Sequence, residues 1–253
     1  MEIGPMNDQN RIQIFGVPVD DIDEERFGET IRRLATDNGK HQIVFLDFRG
    51  LMRARGKGEY ADMIRTASLV VPTSKSILAG ARFLKLPVPH RHNPFAFVIK
   101  LLGAIEQIGG TLYLVGSRPD ALQKAFGNVR DSFPGLRLVG RYAGYFRKDI
   151  ERDVITAIKK AGPTILLAGD GLKGKALWLK RHERSFGFGI SLFCDGCFKI
   201  FSGKRQRISN KSWERNSWWI PAVIIRPWRW FSFLRYILYG ILLFIEKMRR
   251  RNL

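Results

Sequence analysis

The feature that most narrows the possible folds is a rhythm. Short apolar runs of strand length alternate with longer amphipathic segments from residue 12 to residue 194. The runs at 12–17, 42–48, 68–71, 111–115, 136–139, 164–168 and 189–194 read as strands, the last of them buried. Between them, 23–36, 74–84, 94–107, 119–131, 148–160 and 172–184 read as helices, with further short helices before residue 68. Strands separated by helices of this length return by crossovers and not by tight turns. The expected fold class is therefore α/β, a Rossmann-like, mostly parallel sheet flanked by helices. Ligands of such sheets bind beyond the carboxyl ends of the strands, so chemistry is sought in the loops that follow them.

The chain has 253 residues, 45% of them hydrophobic, which supplies a packed core and excludes disorder. The rhythm stops after Ser202, where charge and tryptophan take over. The expected organisation is a Rossmann-like domain over 1–209 and a basic, Trp-rich helical appendage over 210–253. Formal net charge is +20, and from Lys173 onward 18 Lys and Arg stand against 4 Asp and Glu. A basic end implies an anionic partner, and phospholipid, nucleic acid and a phosphorylated substrate all qualify. The first ten residues lack the basic start and apolar run of a secretory signal, so the expected compartment is the cytosol.

Two strand-end loops carry the phosphate-binding signal. Gly116, Ser117 and Arg118 lie between a strand and Pro119, where a helix start can present backbone amides to a diphosphate; an ordinary turn is the alternative. Gly169, Asp170 and Gly171 repeat the arrangement after the next strand but lack the third glycine of a dinucleotide fingerprint, so no nicotinamide cofactor is expected. Cys194 and Cys197 have redox-motif spacing, yet buried small residues are the simpler reading. His41, His90, His92 and His182 offer no pair at metal spacing, so neither metal nor cofactor is expected. His90, Arg91 and His92 can supply a base or a phosphate ligand; an ordinary exposed loop is the alternative.

The runs Leu112 to Asp120 and Phe133 to Gly140, followed by Gly144, Tyr145 and Phe146, resemble the WecG/TagA/CpsF glycosyltransferase family. Further marks are Ala67 to Pro72, Arg82 to Pro89, Trp178 with Arg181 and His182, and Phe198 with Ser202, Gly203 and Lys204; together the resemblance covers about residues 12–208. It implies inverting, metal-independent transfer of a sugar from a nucleotide donor, a UDP-sugar, to a polyprenyl-diphosphate-linked acceptor in envelope polysaccharide or exopolysaccharide synthesis. Arg91 matches the family's arginine. Elsewhere the polar positions depart from its pattern: Thr73 stands where a catalytic aspartate is expected, Asp47 where an asparagine is, and Lys199 where an aspartate is. Lys173, Gly174, Lys175 and Ala176 replace a Pro-Lys-Gln-Glu run. A threonine is no general base near neutral pH, so Asp47, His92, Asp170 and Asp195 are the replacement candidates, alongside Thr73 itself. Arg91, Gly116, Ser117, Arg118, Gly169, Gly171, Lys175 and Lys199 are the candidate nucleotide and substrate contacts, the lysines as compact phosphate partners.

In the appendage, residues 231–245 are apolar except for Ser232 and Arg235, and a basic cluster follows. Trp218, Trp219, Arg226, Trp228, Arg229, Trp230 and Arg235 form the candidate membrane contact, with rings at headgroup level and guanidinium groups on anionic lipid. Neither apolar run reaches the ~20 residues of a membrane-spanning helix. The expected protein is thus peripheral, at the cytoplasmic face of the plasma membrane. A non-catalytic relative that binds a lipid-linked intermediate and a nucleic-acid-binding protein are the alternatives; the long aliphatic run is a poor platform for bases. Self-association stays open.

Overall fold

The computed structural model describes residues 11–215 and 232–251. Its main sheet has six parallel strands in the order β4-β3-β8-β7-β5-β6: β3 (Lys40–Leu46), β4 (Leu69–Pro72), β5 (Thr111–Val115), β6 (Arg137–Tyr142), β7 (Ile165–Ala168) and β8 (Gly189–Phe193). The α/β, Rossmann-like expectation holds. The two strands latest in the chain fill the middle of the sheet, so the loops after β7 and β8 lie side by side at the centre of its carboxyl edge.

The run at 12–17 is not one strand. It is parts of two arms of a hairpin, β1 (Arg11–Ile14) and β2 (Val17–Asp20), which pair antiparallel in a sheet of their own. The turn is Phe15-Gly16 with φ of 56° and 71°, and two positive-φ residues are what a two-residue hairpin turn of primed type requires. Gly16 accommodates this freely; Phe15 does not, which is why the apolar run reads as continuous. Asp20 ends β2 with only 2% exposure. Arg11 donates to both its oxygens, at 2.6 and 2.9 Å, and the Val70 amide of β4 donates to it at 2.5 Å. Asp20 thus closes the hairpin through Arg11 and ties it to the sheet through the Val70 amide.

Successive strand residues face opposite layers. Ile165 and Leu167 of β7 join the core under α1 (Glu24–Thr36), α5 (Pro94–Gln107), α6 (Pro119–Ser132) and α9 (Cys197–Phe201). Leu166 and Ala168 face the other layer, which holds α7 (Glu151–Ala161) and α8 (Ala176–His182). Under β3 and β4 that layer continues with α2 (Phe48–Ala54), α3 (Glu59–Thr66) and α4 (Lys75–Phe83). The helix expected from residue 172 begins only at Ala176, because Gly171, Gly174 and Lys175 have φ of 92°, 88° and 56°, outside the helical region.

Two appendage elements are described: α10 (Asn210–Arg215) and α11 (Ser232–Arg251). Tyr239 and Leu243 of α11 are buried in the core shared with α2, α3 and α4. The Tyr239 hydroxyl donates to the Ser76 carbonyl at 2.8 Å and sits where a side chain on Gly80 would stand. Tyr236 stacks on Phe48, Lys247 covers the ring of Phe83, and Arg250 donates to the Gln13 carbonyl at 2.7 Å.

Replacing Asp20 with alanine strands the largely buried Arg11 guanidinium and orphans the Val70 amide. The expected loss is about 3–5 kcal/mol of stability, read as a lower denaturant midpoint; an unchanged midpoint would show that the hairpin is not held this way.

Candidate active site

Three loops at the carboxyl edge are joined through their backbones. The Gly116 amide donates to Tyr142 O, Ser117 N to Asp170 O, Gly169 N to Val115 O, Gly144 N to Ser117 O and Tyr145 N to Gly171 O. The approach needs glycine: a Cβ on Gly116 would lie 2.8 Å from the Gly169 backbone, and one on Gly144 would lie 2.6 Å from Asp170 O. Ser117 and Tyr145 take positive φ, 61° and 60°, to complete it. The amides of Gly116, Ser117 and Gly169 are therefore occupied by neighbouring carbonyls. Arg118 is exposed at the N-cap of α6, whose first-turn amides at Asp120 and Ala121 bond to the Asp120 carboxylate, itself paired with Lys204.

The joined loops and the β8 loop enclose an open cleft of about 460 Å³, lined by Tyr145, Asp170, Gly171, Leu172, Lys173, Lys175 and Asp195. Charges alternate within it. Asp170 accepts from the Gly196 amide at 2.9 Å and from Lys199 Nζ at 2.8 Å, while Asp195 meets Lys175 Nζ at 3.2 Å. The two carboxyls lie close enough to perturb each other's ionisation. Burial works against ionisation of Asp170, but hydrogen bonds from Asp195, Lys199 and Gly196 outweigh it and hold its carboxyl at about 2. Asp195 is pushed up, by its bond to Asp170 and by burial, with Lys175 pulling the other way. The ring of Tyr145, 62% exposed, lies against Gly171 at the cleft wall.

The remaining candidates stand along the same edge but outside this cleft. Asp47 caps α2, accepting from the Gly50 amide at 2.6 Å. The Thr73 hydroxyl donates to Leu46 O at 3.1 Å, and the His92 amide donates to Pro72 O. His92 packs edge-on against Phe97, and its Nε2–H donates to the Ile22 carbonyl at 3.0 Å, leaving Nδ1 as the unprotonated nitrogen. Burial lowers its pKa despite that bond. Arg91 is half-buried, donating to Trp213 O at 2.5 Å with its guanidinium 4.4 Å over the indole, so it ties the main body to α10. Asp47, Arg91 and Asp170 thus share an edge and not a pocket.

Cys194 and Cys197 are free and buried. Burial pushes the Cys197 thiol up, the opposite of redox activation. Among the described residues, no three His, Cys, Asp or Glu side chains gather to hold a metal ion. Trp218, Trp219, Arg226, Trp228, Arg229 and Trp230 lie outside the described residues, whereas Arg235 is exposed on α11. The sequence reading passed over Tyr145 as a cleft-wall residue; its position after a strand was visible, but its left-handed backbone was not.

The sheet thus carries a charged cleft, lined by two lysines and two aspartates, at its carboxyl edge. The sequence pattern described as the glycosyl transferase WecG/TagA/CpsF family matches residues 12–253. The chain belongs to this family. It is 20% identical over 195 residues to the N-acetylglucosaminyldiphosphoundecaprenol N-acetyl-beta-D-mannosaminyltransferase of Bacillus subtilis (strain 168), a match covering 77% of this chain and 75% of that one. The protein of the same name from Bacillus spizizenii is 19% identical over 171 residues, covering 68% of this chain and 66% of its own length.

Asp170 yields a prediction about pH. Its folded pKa, about 2, lies below the ordinary 3.8, so its ionised form contributes stability above 3.8 that fades as pH falls toward 2. The melting temperature of Asp170→Asn should therefore fall below that of the wild type at neutral pH, with the gap closing over that window. A pH-independent gap would contradict an ionised Asp170.

Proposed function

We propose that this family member transfers a sugar from a UDP-sugar to a polyprenyl-diphosphate-linked acceptor while docked on the cytoplasmic face of the plasma membrane. The observation that carries the transfer reading is the cleft itself. It lies at the carboxyl edge of a parallel sheet, and Lys173 and Lys175 line it, with Lys199 reaching it through Asp170. Ammonium groups on a half-open surface meet a nucleoside diphosphate as point charges and stabilise its release. In this reading Asp170 holds Lys199 in place, Tyr145 and Gly171 form the cleft wall the donor meets, Gly116, Ser117 and Gly169 act from behind it by joining the loops, and Arg118 is exposed beside them. Arg91, with Asp47, Thr73 and His92 along the same edge, faces the acceptor side. The two Bacillus relatives, by their names, act on a diphosphoundecaprenol-linked sugar, which supports the acceptor class.

The docking reading rests on α11. Its inward face carries Tyr239, Leu243 and Arg250, each bonded to or packed on the main body. Ile237, Ile241, Phe244, Ile245 and Met248 recur at helical spacing on the other face; Phe244 is 60% exposed and Ile241 54%. Exposed Arg235 and Arg249 flank that stripe. No helix among the described residues is long and apolar enough to cross a membrane. A two-faced helix of this kind lies in the interface, apolar stripe among the acyl chains and arginines on anionic headgroups. α10 and α11 then serve as an appendage packed on the main body.

Isothermal titration should detect UDP binding, and incubation of UDP-N-acetylmannosamine with polyprenyl-diphosphate-N-acetylglucosamine should yield the disaccharide lipid. UDP binding with no transfer from any UDP-sugar tried would instead identify a non-catalytic relative.

Deleting the appendage is a poor test of docking, since it strips Tyr239 and Leu243 from the core. Ile241→Gln combined with Phe244→Gln should abolish sedimentation with phosphatidylglycerol vesicles and leave the melting temperature within about 2 °C of the wild type, as surface substitutions do. Undiminished sedimentation would rule out this face.

A further inference from the structure

The transfer proposed above requires a proton acceptor, and the edge offers few. An acceptor hydroxyl that attacks a sugar carbon sheds its proton as the new bond forms. Thr73 is an alcohol whose own proton is engaged on Leu46 O. Asp47 is committed to its helix cap and lies outside the cleft. His92 is wedged against Phe97 with Nε2–H on a main-chain carbonyl, and it too lies outside the cleft. Asp170 lines the cleft, but its side chain is 12% exposed and its oxygens are held by the Gly196 amide and Lys199.

Asp195 differs on each count. Its side chain is 66% exposed, it lines the cleft, and its ion-pair partner Lys175, 66% exposed as well, is a flexible side chain that can turn away. It follows β8 directly, at the centre of the carboxyl edge. The fixed carboxylate of Asp170 beside it raises its affinity for a proton above that of an ordinary aspartate, which favours a base.

Resting on the transfer reading, we propose that Asp195 is the general base of this protein, and that Lys175, its ion-pair partner, is handed to the leaving diphosphate as Asp195 is neutralised. The acceptor oxygen bonds to the anomeric carbon, and its proton passes to the Asp195 carboxylate. The bond from that carbon to the β-phosphate oxygen breaks, and its electron pair leaves with UDP. Neutral Asp195 no longer holds the Lys175 ammonium, which turns to the new phosphate charge nearby. The proton returns to water when the products depart. Proton removal and leaving-group stabilisation are thereby coupled through one ion pair.

The test compares wild type, Asp195→Asn and Asp195→Glu, using UDP-N-acetylmannosamine and polyprenyl-diphosphate-N-acetylglucosamine, with UDP affinity by titration and melting temperature beside the kinetics. Asp195→Asn should lower kcat by about 100-fold or more, the usual contribution of a positioned base, and leave the UDP Kd within about threefold. Asp195→Glu should recover part of kcat. The acid limb of the wild-type kcat/KM profile should vanish in Asp195→Asn. Asp170, Lys175 and Lys199 act on Asp195, Lys173 and Tyr145 share its cleft, and Arg205, Cys194 and Cys197 lie on or beside its loop; all of them remain in that variant. A folded Asp195→Asn with wild-type kcat overturns the assignment and leaves the transfer reading standing. Loss of UDP binding in it shows a binding residue and overturns the assignment too. A wild type that transfers nothing overturns both.

Discussion

The site depends on how closely three loops can approach one another. Peptide planes after β5, β6 and β7 stack edge to edge at the carboxyl end of the sheet, and the contact closes only because Gly116, Gly144 and Gly171 carry no Cβ. Its consequence is electrostatic. With the main chain of residues 169–171 pinned from two sides, the Asp170 carboxylate is delivered at a fixed height beside the β8 loop, where the Gly196 amide meets it. A fixed, low-pKa carboxylate then organises everything movable nearby: it draws Lys199 toward the cleft and perturbs Asp195. Glycine placement in three separate loops thus becomes a charge pattern in a single cleft.

The same economy appears on the opposite flank. Phe48 follows Asp47 at the end of β3, so the ring that Tyr236 stacks on belongs to the carboxyl edge itself. Further along α11, Tyr239 crosses α4 at Gly80, and Arg250 reaches the hairpin. The helix is therefore fixed along its length by side chains, with its orientation about its own axis set by two tyrosines and a leucine. That rotation decides which residues face outward, and those are the aliphatic and aromatic ones.

Much of this was legible in the sequence, and the limits have physical causes. Periodicity located α5 at Pro94–Gln107 and β5 at Thr111–Val115 to the residue, because proline starts the one and a compact apolar run defines the other. It failed at 12–17, where a phenylalanine in left-handed conformation hides a turn inside an apolar run, and at 172–175, where the backbone leaves helical space with no proline to announce it. The parallel-sheet reading directed attention to the carboxyl edge but could not give the grouping of residues along it. Asp47, Arg91 and Asp170 look equivalent as strand-end polar residues. They separate only once each is seen with its partner: a helix cap, an indole, and a pair of charges. The Arg91 partner, Trp213, is more than a hundred residues away in the chain, and no local pattern encodes that contact.

Two of the departures from the family pattern, Lys175 and Lys199, meet two aspartates once folded. Lys175, Lys199, Asp170 and Asp195 come from three segments, yet they interlock as two carboxylates and two ammonium groups within one cleft. Together they cancel charge in pairs, at separations of 2.8 and 3.2 Å, while remaining open enough to exchange partners. A structural ion-pair network has no use for that openness, since half-exposed pairs contribute little to stability. The openness is useful to an anionic substrate, which can take an ammonium from a carboxylate and leave the carboxylate available to a proton. On the proposed reading, exchange of partners with a ligand is what such a cluster at the centre of the carboxyl edge would serve.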